Sequence, residues 1–96
     1  MSGTTRSSEG LDLRRRKLLF RAWHRGMREM DLILGRFADG NIEHLSEAEL
    51  IELEVLMDMP DDQLLGWLTG ESAVPKEHDG LLFRRLRAFQ SSQRDE

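Results

Sequence analysis

Arg25 and Glu29 stand four residues apart on either side of Gly26, in a stretch that otherwise reads as helix: Arg25-Gly26-Met27-Arg28-Glu29. An arginine fork and a carboxylate are both groups that form charge-assisted hydrogen bonds. A glycine inside a helical pattern costs roughly 1 kcal/mol against alanine. It therefore predicts a break between two helices, where bare backbone can lie close to a partner. Taken alone, the same residues describe only a tight junction and an i,i+4 ion pair worth about 0.2–0.5 kcal/mol.

Other chemistry is thin. His24, His44 and His78 include no pair at metal-ligand spacing, so each reads as a surface or partly packed side chain. The chain has no glycine-rich phosphate loop, no nucleophile–base–acid pattern and no cysteine. An enzyme in its own right is not expected, nor a metal site. Arg14-Arg15-Arg16-Lys17 is a basic run with two readings. One is a solvated helix face complementing acidic residues elsewhere; the other is a phosphate-contacting patch, which makes a small nucleic-acid-binding or regulatory module the alternative function. A pI near 5.4 opposes the second reading.

The net charge of -4 conceals a separation of sign. Residues 6–28 hold eight bases against two acids, whereas residues 29–62 hold eleven acids against one base. Such asymmetry suits internal pairing or a basic face that steers a partner. Ninety-six residues allow one domain with a modest core and little room for a deep enclosed site. No apolar run approaches the length of about 18 residues that spans a bilayer, and the N-terminus lacks the apolar segment of a secretory signal. The expectation is a protein of the bacterial cytoplasm, a monomer when free and not inserted in a membrane, with the mitochondrial matrix as the alternative.

These residues are positioned by a pattern of helices. Residues 1–11 are polar and aperiodic and read as a disordered extension, residues 12–90 as the folded domain, and residues 91–96 as a frayed tail, with fraying expected from Gln90. From Asp12, Leu18, Leu19, Ala22 and Trp23 form a one-sided stripe that should end near His24. Met27, Met30, Ile33, Leu34 and Phe37 continue at helical spacing, and Asp39-Gly40-Asn41 supplies turn chemistry. Ser46-Glu47-Ala48-Glu49 has the form of a capping box. It opens a third helix with Leu50, Leu53 and Met57 inward, flanked by Ile51 and Val55. Pro60 fits the first turn of a fourth helix, Asp61 and Asp62 its positive end, and Thr69-Gly70 its stop. A loop over 71–80 leads to a fifth helix through Leu82, Phe83, Leu86 and Phe89. Trp23 and Trp67 read as core anchors with their indole N–H groups near the surface. No segment alternates as a strand would. The fold class is all-α, a small five-helix bundle.

The string Leu18–Phe37, with Arg25-Gly26-Met27-Arg28-Glu29 at its centre and an aliphatic helix behind it, resembles the flavinylation-type succinate dehydrogenase assembly factors, the SdhE family. A second block, Asp58-Met59-Pro60-Asp61-Asp62-Gln63-Leu64-Leu65-Gly66-Trp67-Leu68, is similar to the family's acidic-Pro-Asp and Leu-x-x-Trp-Leu segment, in the right order and spacing. The resemblance covers roughly residues 12–70. It implies a chaperone that binds the flavoprotein subunit of succinate dehydrogenase, and in some bacteria the related fumarate reductase subunit, and promotes covalent attachment of FAD to it. The family's functional residues fall on Arg25, Gly26 and Glu29, with His24, Arg28, Arg21 and Asp31 as candidate supporting contacts. The resemblance also implies that FAD is not held stably by this chain but is handled through the partner.

Overall fold

Asp12 starts the first helix by turning its side chain onto the chain ahead, its Oδ1 accepting the Arg15 backbone N–H at 2.8 Å. That leaves one fewer orphan donor at the helix N-terminus. The computed structural model describes residues 9–94. Residues 1–8, most of the expected extension, and residues 95–96 at the end of the expected tail lie outside them. The elements are α1 (Leu13–Trp23), α2 (Arg28–Asn41), a 3-10 turn (Ile42–His44), α3 (Glu47–Met57), α4 (Asp61–Thr69), a second 3-10 turn (Lys76–His78) and α5 (Leu81–Arg94). The described residues contain helices and no strand, so the all-α expectation of five helices holds. The chain divides into two compact units, one ending at Leu45 and the other beginning at Ser46.

In the first unit α1 packs along α2. Leu18, Leu19, Ala22 and Trp23 are buried on α1, and Met30, Ile33, Leu34, Phe37 and Ala38 on α2. Each large apolar side chain removed from water contributes about 1.5–3 kcal/mol. Trp23 is placed by two features of α2. Its Nε1–H donates to Asp39 Oδ1 at 3.1 Å, and its ring lies against the bare Cα of Gly35. Leu11 is also buried.

Asp39-Gly40-Asn41 is not a turn: α2 runs through all three residues. Turn propensity is a local preference, and here it is outweighed. Asp39 is held by Trp23, Asn41 Nδ2 donates to the Phe37 carbonyl at 2.8 Å, and the Ile42 N–H closes on Ala38. The chain bends only afterwards, in the 3-10 turn, which Arg15 secures. The Arg15 guanidinium donates to the Ile42 and Leu45 carbonyls at 2.9 and 2.7 Å and to the Asp12 carboxylate at 2.6 Å.

In the second unit α3 and α4 each pack on α5. The capping box is present in full: Glu49 N–H donates to Ser46 Oγ at 3.2 Å and Ser46 N–H to Glu49 Oε1 at 2.9 Å. The buried face of α3 is Leu50, Leu53, Leu56 and Met57. Ile51 and Val55, expected to flank that face, are 50% and 42% exposed, and Leu56 takes the inward position. Pro60 serves as the N-cap of α4, one residue before its first turn, and its carbonyl accepts the Leu64 N–H at 3.0 Å. Gly70 ends α4 with φ +84°, a left-handed stop that glycine adopts without a Cβ penalty.

The 71–80 loop carries its own 3-10 turn after Pro75, and the His78 ring stacks on Trp67 with centroids 5.3 Å apart. Glu52 anchors α5 by accepting the Leu82 and Phe83 N–H groups at 3.2 and 2.9 Å. α5 continues past Gln90 to Arg94. Gln90 is only 4% exposed because it extends the buried Leu82–Leu86 row by one further helical turn.

Candidate functional site

The α1–α2 junction is built by a helix that ends, a glycine that reverses the chain, and a carboxylate that reaches back. α1 stops at Trp23, and the His24 N–H closes on the Arg21 carbonyl at 3.3 Å. Gly26 takes φ +96°, where an L side chain would be strained. No heavy atom lies within 4 Å of a Cβ placed on Gly26, so crowding inside the chain does not select glycine here. The backbone angle does, and it leaves the face above Gly26 open.

α2 then starts without a side-chain cap, because Met27 at the N-cap offers no acceptor. Asp31, at the end of the first turn, supplies one. Its Oδ1 accepts the Arg25 backbone N–H at 2.6 Å, while its own N–H closes on the Met27 carbonyl at 2.9 Å. The carboxylate thus ties the residue before Gly26 to the helix after it.

The candidates divide accordingly. Arg25 and Asp31 are joined and half-buried. Gly26, Arg28 and Glu29 are exposed, the last two in the first turn of α2, where an acid such as Glu29 suits the positive helix end. Arg21 is half-buried in the last turn of α1, where a base suits the negative end. The expected i,i+4 pairing of Arg25 with Glu29 on one helix is not available. α1 ends before Arg25 and α2 begins after Met27, so no continuous helix surface carries both.

His24 is exposed and turned back along α1. Its Nδ1 lies 2.7 Å from the Phe20 carbonyl, which makes it the protonated nitrogen, and its ring stacks on Phe20 with centroids 3.9 Å apart. Phe20 is 63% exposed although it is a large apolar residue. The one sequence signal for it is its place four residues before His24, on the opposite face of α1 from the buried Leu18–Ala22 stripe. Side chains of the basic run are partly engaged within the first unit: Arg15 holds the 3-10 turn and Arg16 Nε donates to the Leu11 carbonyl at 3.0 Å. Among the described residues no cluster of His, Asp and Glu could hold a metal ion, and no helix is long and apolar enough to cross a membrane.

The fold and junction define a small helical protein that presents a glycine-bent, carboxylate-tethered loop. Residues 16–90 match the family model Sdh5, described as flavinator of succinate dehydrogenase. The chain is 38% identical over 80 residues to the FAD assembly factor SdhE of Acetobacter pasteurianus, covering 83% of this chain and 73% of that protein. It is 40% identical over 65 residues to the mitochondrial succinate dehydrogenase assembly factor 2 of Dictyostelium discoideum, covering 68% and 46%. With the protein of that name from Schizosaccharomyces pombe the figures are 33% over 91 residues, 94% and 66%. The chain therefore spans about half the length of the Dictyostelium relative and more of the bacterial one.

The chain belongs to the Sdh5/SdhE family of succinate dehydrogenase assembly factors. Its relatives are named as assembly factors rather than enzymes, in agreement with the sequence expectation.

Proposed function

We propose that this chain binds the flavoprotein subunit of succinate dehydrogenase through the His24–Glu29 loop and promotes covalent attachment of FAD to that subunit. The observation that carries the proposal is the open face above Gly26, bordered by exposed Arg28 and Glu29 and by Arg25 held from below. Bare backbone there lets a partner surface come to van der Waals distance, while the charged residues around it fix the register. Arg25 can make a forked contact to a carboxylate or to carbonyl groups, and Glu29 can pair with a partner base.

The bond-forming histidine and the flavin belong to the partner, so FAD is met through that subunit. Attachment at the flavin 8-methyl group takes a proton from that carbon. The histidine nitrogen then bonds to it and gives up its own proton. The electron pair stays on the ring as reduced flavin, which an electron acceptor outside this chain must reoxidise. The factor's part is to hold the immature subunit with flavin and histidine in line and with stabilising positive groups aimed at the ring. The place of action in this proposal is the bacterial cytoplasm.

Co-expression of the flavoprotein subunit with the wild-type chain or with Gly26→Arg tests it. The expected result is a folded variant and a loss of covalent flavin, read as in-gel fluorescence of the subunit. Full flavinylation with Gly26→Arg would overturn the site. Capture of nucleic acid rather than a yellow flavoprotein from a native lysate would overturn the function.

A further inference from the structure

We infer that Asp31 is a positioning residue of the docking loop, acting through the Arg25 backbone rather than on the partner; the inference rests on the docking function proposed above. Three observations lead to it. The loop contains a left-handed residue, Gly26 at φ +96°, with no atoms of the chain packed over it to hold that conformation. The helix that follows has no side-chain cap at Met27. A 2.6 Å hydrogen bond from Arg25 N–H to Asp31 Oδ1, six residues apart in sequence and partly shielded from water, bridges the gap.

A hydrogen bond to an ionised carboxylate is about twice as strong as a neutral one. At the start of α2 the same negative charge is favoured by the helix dipole. Asp31 thus sits where a single side chain can set the loop's conformation before a partner arrives. Docking then spends less of its interaction energy on ordering residues 24–27. Glycine permits the turn, and the carboxylate selects it. Asp31 faces into the loop, leaving Arg28 and Glu29 to meet the partner.

The test compares Asp31→Ala, which deletes the acceptor, with Asp31→Asn, which keeps an oxygen at the same reach. Amide hydrogen exchange at Arg25 is followed in the free chain, and binding to the purified flavoprotein subunit is titrated with each variant. Asp31→Ala should melt within a few degrees of wild type, since alanine is a good helix residue at a half-buried site. It should exchange the Arg25 amide faster and bind the subunit about tenfold more weakly, the scale of one lost charge-assisted bond. Covalent flavin should fall at limiting factor and recover at excess. Asp31→Asn should restore binding to within a few-fold of wild type.

Unchanged binding by Asp31→Ala, beside faster exchange at Arg25, would overturn the positioning role. So would a folded Asp31→Asn chain that fails to restore binding. Arg25→Ala and Gly26→Arg measured in parallel separate this failure from failure of the docking function. If neither of those changes flavinylation, the docking function falls and the inference with it.

Discussion

Gly35 of α2 faces Trp23 of α1 so closely that a Cβ on Gly35 would press on Cδ2, Cε2 and Cε3 of the indole, well inside van der Waals distance. The indole cannot slide away freely, because its Nε1–H is held by Asp39 one helical turn further along α2. Gly35 costs α2 roughly 1 kcal/mol of helix propensity, and the close approach of the two helices is what that cost permits. Gly35→Ala should therefore destabilise the chain despite the better propensity of alanine. Overpacking of this kind costs about 1–3 kcal/mol, which exceeds the propensity gain. Urea denaturation followed by tryptophan fluorescence would measure it; a more stable variant would contradict the packing described.

Glu52 and α5 make a second such pair of dependent features. Its carboxylate accepts the Leu82 and Phe83 N–H groups and lies 2.5 Å from where a Cβ of Gly80 would be. Glu52→Ala leaves two helix N-terminal donors without that acceptor, at about 1–3 kcal/mol for a partly buried unsatisfied group. Loss of exchange protection should be greatest at Leu82 and Phe83. Gly80→Ala should reproduce part of the effect by pushing the carboxylate aside.

Glu49 links the capping box to α5. The hydrogen bond from the Ser46 N–H holds its carboxyl below the ordinary 4.5, opposed by partial desolvation and reinforced by Arg85 at 2.5 Å. A carboxyl depressed on folding adds stability that is complete above its unfolded value and is lost as pH falls through the folded one. Stability should therefore decline on acidification below about pH 4.5, and Glu49→Gln should flatten that decline. The variant should be weaker than wild type at pH 6, the difference closing as the pH falls below that range. Asp12 and Asp79, lowered by the Arg15 backbone N–H and by Arg84, contribute with the same sign. Ser46→Ala should cost about 1 kcal/mol through the cap alone.

Gly26 is where stability and the proposed docking should separate. A Cβ there meets the strain of a φ of +96° but no heavy atom within 4 Å beyond its chain neighbours. Gly26→Ala should cost about 1–2 kcal/mol, and Gly26→Arg a similar amount while covering the face above the loop. A thermal melt should show both variants folded, and the loss of covalent flavin should be larger for arginine. Equal losses would assign the effect to backbone strain instead of to the covered face.

Much of this molecule is legible in short stretches of sequence. The Asp12 and Ser46 caps, the break at Gly26 and the stop at Gly70 each depend on residues within one turn of one another. Neighbouring donors and φ preferences decide them before any packing occurs. The apolar stripes of α1, α2 and α5 were visible for the same reason, as periodicity on one element.

What local pattern could not decide was where competing preferences were overruled from a distance. Asp39-Gly40-Asn41 carries turn chemistry, yet it is helical because Asp39 is held by Trp23, sixteen residues away. Gln90 reads as a polar tail and is buried, because it follows the Leu82–Leu86 row along α5. Arg25 and Glu29 have the spacing of an ion pair, but the break between them removes the helix that would align them, and it is Asp31 that accepts the Arg25 backbone N–H. Spacing along a chain identifies which groups are available. Which of them meet is settled only when the helices pack, because a hydrogen bond needs its atoms within about 3 Å and at the right angle.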